Sequence, residues 1–166
     1  MNASKLRQLQ EPLKNKYKEN PEAALVTLTA RSKVGEGISC KVDTGRAIAE
    51  AGLHPATGGD GLALCSGDML LEALAACAGV TLKAVATAIA FDLQDAAISA
   101  EGDLDFRGTL GVDKSAPVGF QSIRLKIDLK TNEEEERIAT LLKLTERYCV
   151  VYQTLKQAND IVVVRA

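Results

Sequence analysis

Gly67-Asp-Met-Leu-Leu-Glu-Ala-Leu-Ala-Ala-Cys-Ala-Gly-Val-Thr-Leu-Lys83 decides how the rest of this 166-residue chain is read. At 100° per residue, Leu70, Ala73, Leu74, Val80, Thr81 and Ala84 fall on the same side of a helix as Cys77, and all are small or apolar. Glu72 and Lys83 lie roughly 20° from one another on a polar stripe well away from that cysteine. Glu72 is therefore a poor base for the thiol of its own helix, though not for a thiol on a partner chain. The apolar period predicts a helix from Met69 to near Phe91, capped by Ser66 or Asp68. Two interrupting charges and many alanines make it a buried helix of a soluble protein, not a membrane span.

Beyond the helix, Ile98, Ala100, Gly102, Leu104 and Phe106 alternate with Ser99, Glu101, Asp103, Asp105 and Arg107, which predicts a half-exposed antiparallel strand over residues 96–107. Residues 121–130 alternate in the same way, with Ile123, Leu125, Ile127 and Leu129 opposing Arg124, Lys126, Asp128 and Lys130. One polar face is mostly acidic and the other mostly basic, so pairing these strands sets unlike charges across from each other. Upstream, residues 24–31 and 38–42 predict a hairpin turning at Gly35 and Gly37. The six glycines and Pro55 between Gly45 and Gly67 predict a long irregular loop around His54. Residues 5–20 read as a short amphipathic helix.

Downstream, Thr131-Asn-Glu-Glu134 fits a capping box opening a helix through Ile138, Leu141, Leu142 and Thr145. Glutamates 133–136 complement its dipole as a solvated helix start. Cys149 falls just past its end, a short helix follows near residues 151–158, and Ile161-Val-Val-Val-Arg165 predicts a closing strand. Antiparallel strands with helices between them make the class α+β. The length fits one domain, residues 1–166, with residues 1–21 as an N-terminal helical extension.

Composition excludes several functions. A hydrophobic content of 46% with 25% charged residues is that of a folded globular chain. A net charge of −2 gives no basic surface for a nucleic acid, and 4% aromatic residues give no stacking platform. Residues 1–10 lack the apolar core of a signal peptide, so the four cysteines are expected in a reducing cytoplasm, where structural disulfides are rare. With His54 the only histidine and no C-x-x-C, multi-histidine zinc sites are excluded, and no metal or cofactor is expected.

That leaves thiols. An apolar wall raises a thiol's pKa and makes it inert unless something compensates. Cys77 therefore reads either as a small core residue or as a reactive group. Cys149, 72 residues on, stands beside Arg147 and Tyr148, and a cation there favours thiolate. Cys40 and Cys65 read as bystanders. His54 reads either as a loop histidine or as a group facing the site of a partner chain.

Leu70-Leu-Glu-Ala-Leu-Ala-Ala-Cys-Ala-Gly-Val-Thr-Leu82 resembles the first cysteine motif of the OsmC/Ohr family, and Glu146-Arg-Tyr-Cys-Val-Val151 resembles the second at a similar separation. The resemblance runs from about residue 24 to the end of the chain. It implies an OsmC-like fold, with antiparallel sheets wrapped around long central helices in an intertwined homodimer. It further implies reduction of organic hydroperoxides by a peroxidatic Cys77, resolution by Cys149 as a disulfide, and regeneration by an external dithiol. Peroxidase members also hold the first thiol with an arginine and a glutamate. The arginine comes from the early strand–loop region, where Arg31 is the better candidate and Arg46 the weaker. The glutamate stands ten residues before the thiol, and here that position is Gly67, with Asp68 beside it. Val150 stands where proline is common and Tyr152 where serine is common. The alternative reading is an OsmC-fold dimer that binds an apolar small molecule or senses redox state without efficient peroxidase activity.

Overall fold

The computed structural model describes residues 31–34, 39–43, 48–111 and 113–165, together with residues 2–5, 8, 10, 11 and 19; between residues 31 and 48 it describes the backbone alone. The chain divides into two compact units, residues 1–14, 73–99 and 125–166 in one and residues 15–72 and 100–124 in the other. The described residues between 3 and 19 are helical, in line with the amphipathic pattern. Asn2 starts this helix, its Oδ1 accepting the Lys5 N–H at 2.9 Å.

The second unit carries a four-stranded sheet in the order β1-β2-β3-β4. β1 (Arg31–Val34) and β2 (Ser39–Asp43) form the expected hairpin, in the register Arg31↔Asp43 to Val34↔Cys40. Of the strand predicted over residues 24–31, only Arg31 is among the described residues. The stretch from Gly45 to Gly67 is more than a loop. β3 (Ile48–Gly52) pairs antiparallel with β2, and β4 (Leu64–Cys65) joins β3 in parallel. An alanine-rich strand of five residues shows little period of its own, and pairing with β2 is what makes it a strand. Between β3 and β4, residues Pro55–Thr57 make one 3₁₀ turn whose first N–H groups are capped by His54.

Helix α1 (Ser66–Ala88) begins a turn earlier than the apolar period alone predicts. Leu74, Ala78, Leu82, Val85 and Ala86 form its buried stripe. Ala90 ends it at φ 51°, and the Phe91 N–H reaches back to the Ala86 carbonyl at 2.9 Å, which closes the open carbonyls of the last turn. By length and composition α1 could cross a bilayer, and 28% of its most apolar stretch is buried within the chain.

β5 (Asp95–Asp103) and β6 (Ser122–Lys130) alternate exposed and half-buried residues along their whole lengths, as predicted. They run antiparallel, since the Gln94 N–H meets the Lys130 carbonyl at one end and the Gln121 N–H meets the Asp103 carbonyl at the other. The expected pairing of unlike charges is present: Arg124 bonds Asp103 Oδ1 at 2.8 Å and Glu101 at 3.4 Å. The strand stops short of Leu104 and Phe106. Asp105 instead accepts the Arg107 N–H at 3.0 Å and caps the short helix α2 (Phe106–Thr109).

Helix α3 (Glu135–Tyr148) and helix α4 (Val150–Lys156) meet at Cys149, whose extended backbone (φ −74°, ψ 107°) separates them. The predicted capping box does not form. α3 starts at Glu135 with Glu134 as its cap residue and no side-chain cap bond, and the Thr131 hydroxyl accepts the Glu133 N–H at 3.1 Å, ahead of the helix. Thr131 donates its hydroxyl to the Asp92 carbonyl at 2.7 Å, and Glu133 accepts the Asp92 N–H at 2.8 Å while pairing with Arg137 at 2.6 Å. The glutamate run is thus more than a solvated start: Glu133 ties α3 to the segment leaving α1. In this first unit, Leu82, Val85, Ala86, Phe91 and Leu141 make the core, packed around by Ile89, Ile98, Ile127, Ile138 and Leu142 among others.

The predicted closing strand is absent. Residues 161–165 have no strand pairing, and Ile161 to Val164 are 78–94% exposed. A β-branched run becomes a strand only where a sheet edge accepts its backbone.

Candidate functional site

Cys77, from the middle of α1, and Cys149, from the junction of α3 and α4, belong to one compact unit and are neighbours whose thiols act on each other. Two local features build the junction. The Cys149 N–H closes α3 on the Thr145 carbonyl at 2.9 Å, and the Cys149 carbonyl accepts the Gln153 N–H at 2.9 Å to open α4. The extended residue between these bonds leaves the first N–H groups of α4, those of Val150 and Val151, without helical partners and turned to the sulfurs. Cys149 is fully buried and Cys77 half-buried, so Cys77 is the thiol open to solvent.

The two thiols differ in acidity. Burial pushes the Cys77 thiol up, but the Val151 N–H, the Cys149 thiol, the Val150 N–H and the Thr81 hydroxyl together outweigh it. The result lies below the ordinary cysteine value. Burial likewise raises Cys149, and the neighbouring Cys77 adds to that rise; the Tyr152 and Val151 N–H groups offset only part of it. The two thiols titrate as a coupled pair in which Cys77 is favoured as the more acidic member. The arrangement places the more acidic thiol, Cys77, beside a less acidic one, Cys149.

This outcome corrects two expectations. The apolar face of α1 is not the whole surrounding of Cys77, because most of the groups that offset its burial come from the α3–α4 junction. Cys149 is not activated by Arg147, whose guanidinium lies over the Tyr148 ring at 5.4 Å. Three of the groups acting on Cys77 were hidden from sequence reasoning. Two are backbone N–H groups that no side-chain pattern reveals, and the third, Thr81, is counted among the small and apolar neighbours of Cys77 unless its hydroxyl is considered. The position of Cys149 immediately before a short apolar helix was the available signal.

The remaining candidates separate clearly. Arg31 lies at the start of β1, but its side chain is outside the described residues, as is all of Arg46. His54 is engaged structurally, its Nδ1 accepting the Ala56 N–H at 3.0 Å while its ring stacks on Phe106 at 4.9 Å. Gly67, Cys65 and His54 line a mostly apolar cavity of about 370 Å³ with Leu53, Phe106 and Phe120. Asp68 lines an adjoining cavity with Asp103. A Cβ at position 67 would meet Phe120 at 3.4 Å, the Cys65 sulfur at 3.6 Å and Leu104 at 3.8 Å, all ordinary contacts. Gly67→Ala is therefore expected to raise stability by up to about 1 kcal/mol through helix propensity. Thermal unfolding checks this, and a lowered midpoint would show that the cavity wall cannot accept a methyl group.

Comparison with known proteins bears on the whole arrangement. The solved structures it resembles include an OsmC-like protein from Mycoplasma pneumoniae, at 18% identity and a TM-score of 0.65 over 79% of this chain and 88% of that one. An organic hydroperoxide resistance protein from Legionella pneumophila matches at 19% identity and a TM-score of 0.62, over 80% of this chain and 90% of that one. The organic hydroperoxide resistance protein OhrB of Bacillus subtilis matches at 18% and 0.53, over 79% and 91%. At these identities the likeness is one of fold. No curated protein matches the sequence closely enough to count as a relative. The family model for OsmC-like proteins matches residues 58–164, a span containing both thiols, and the chain belongs to that family.

Proposed function

We propose that the protein is a thiol-dependent peroxidase that reduces organic hydroperoxides through Cys77 and Cys149. The observation that carries this reading is the split acidity of two adjacent thiols, with the half-exposed Cys77 lowered and the buried Cys149 raised. The Cys77 thiolate attacks the terminal peroxide oxygen and the O–O bond breaks. The alkoxide leaves and takes a proton as the alcohol, and Cys77 becomes a sulfenic acid. The Cys149 thiol then displaces the sulfenic oxygen as water, and an external dithiol reduces the resulting disulfide. The hydroperoxide resistance proteins among the structural neighbours support the substrate class.

In this reading Arg31 supplies a cation to the site, and the protein works in the cytoplasm as a homodimer. Support for the dimer comes from apolar surface left open within the chain. Val80 on α1 is 74% exposed, and the unpaired run from Ile161 to Val164 offers a strand to a sheet edge.

The test is a count of free thiols after cumene hydroperoxide is added to the reduced protein. Loss of two of the four thiols per chain is expected. Four surviving thiols in excess peroxide would refute the peroxidase. One observation favours a second reading, an OsmC-fold protein that binds an apolar small molecule. Gly67 leaves its cavity open where a side chain would otherwise project.

A further inference from the structure

The cavity beside Gly67 has walls fixed by close packing. A Cβ at Gly102 would lie 2.5 Å from the Phe120 ring, so glycine there lets that ring settle on β5 as one wall. A Cβ at Gly59 would collide with the Leu53 carbonyl, and the Gly59 N–H bonds the His54 carbonyl at 3.2 Å. The segment carrying Leu53 and His54 is thus folded tightly on itself. Phe106 adds a further wall, stacked on His54 with the ring planes 17° apart. The space of about 370 Å³, at roughly 30 Å³ per water-sized group, holds on the order of a dozen non-hydrogen atoms. Cavities of this size, apolar with a few placed polar groups, are the common form of small-molecule sites. His54 supplies such a polar group. Its Nδ1 accepts the Ala56 N–H, so in the neutral ring the proton sits on Nε2. Nε2 stands on the side of the ring away from the turn and has no partner among the described residues. His54 lines this cavity and the adjoining one, where Asp68 also stands and disfavours an anionic ligand. A neutral N–H donor among aromatic walls matches a flat apolar body with one uncharged acceptor atom.

We infer that this cavity binds a neutral bicyclic aromatic ligand carrying one hydrogen-bond acceptor, with the His54 Nε2–H as the donor that selects it. The inference deepens the small-molecule reading and rests on it, and it asks nothing of the peroxidase. Quinoline and naphthalene are the probes, because they share a shape and differ by one acceptor nitrogen. Their dissociation constants for the whole chain are measured by ligand-observed NMR titration at pH 8, where imidazole and quinoline are uncharged. Quinoline is expected to bind roughly three- to tenfold more tightly, the net worth of one neutral hydrogen bond. His54→Asn keeps an oxygen that can accept the Ala56 N–H and removes the ring donor. His54→Phe keeps a ring on Phe106 and removes the same donor. The preference for quinoline is expected to vanish in both. Gly67→Leu puts a side chain into the cavity and is expected to weaken both probes about tenfold or more. Should that variant fail to fold, Cys65 in the cavity wall reports the location in the unaltered chain. Saturating quinoline is expected to slow alkylation of the Cys65 peptide by N-ethylmaleimide, followed by mass spectrometry. Equal affinities for the two probes, or a preference that survives in either His54 variant, would overturn the inference and leave a site for apolar molecules standing. Binding that neither shields Cys65 nor responds to Gly67→Leu lies elsewhere and would overturn it as well. No binding of either probe at millimolar concentration would sink the inference and the small-molecule reading together.

Discussion

Cys149→Ser is expected to halt the catalytic cycle after one turnover, and Cys77→Ser is expected to prevent even the first. With Cys77 gone the attacking thiolate is gone, and peroxide consumption should fall by on the order of 10³ or more, to background. In Cys149→Ser the Cys77 thiolate keeps the Val150 and Val151 N–H groups and still attacks once. The sulfenic acid then has no resolving thiol beside it, accumulates, and is trapped by dimedone, which mass spectrometry locates on the Cys77 peptide. Steady-state turnover with dithiothreitol separates the two roles. If Cys149→Ser turns over at the wild-type rate, the resolving role is wrong, and Cys77 acts as a single peroxidatic thiol. The pH dependence has a definite sign. Peroxide attack requires the thiolate, and Cys77 ionises below the ordinary cysteine value, so the rate should rise with pH and reach its plateau earlier than for a free cysteine.

The second large effect is on stability. Leu141 is fully buried on α3 against the core that includes Leu82, Val85, Ala86 and Phe91. Leu141→Ala removes that packing and leaves a cavity, at an expected cost of about 2–5 kcal/mol in urea unfolding. Thr140→Ala, on the exposed side of the same helix, should stay within about 0.5 kcal/mol and so serves as the control. The consequence reaches the site because α3 ends at Cys149, whose N–H is held by Thr145 one turn beyond Leu141. A loosened α3 should also weaken the hold of the Val150 and Val151 N–H groups on Cys77. A loss below about 1 kcal/mol would mean that the core cluster does not carry the stability assigned to it.

Much of the fold was legible because its periods are long and clean. β5 and β6 alternate over nine residues each, and their acidic and basic faces meet through Arg124, Asp103 and Glu101 as the side-chain pattern requires. The break at Cys149 followed from helical spacing, but the side of α1 expected to be apolar around Cys77 is not its buried stripe. Of Leu70, Ala73, Leu74, Val80, Thr81 and Ala84 only Leu74 is buried, and Val80 is 74% exposed. The other failures share a cause, competition between elements for a polar group or for a sheet edge. Thr131, expected to cap α3 together with Glu134, instead donates to the Asp92 carbonyl and accepts the Glu133 N–H. Residues 48–52 lack a strand signature and form β3 because β2 offers an edge, whereas Ile161 to Val164 have the signature and find no edge among the described residues.

The candidate site divides along the same line. Sequence by itself determined which side chains are available: two thiols 72 residues apart in recognisable surroundings, one histidine, and a glycine where a carboxylate would be informative. It could not rank the thiols, and local composition ranked them backwards, with an apolar wall around Cys77 and a cation near Cys149. Tertiary structure decided the ranking. Chemical shielding by neighbours along one helix is a local property, but the free N–H groups of a helix start act only on whatever the fold sets against them. By setting Cys77 against the first residues of α4, the fold lowers a thiol that its own helix would have left inert.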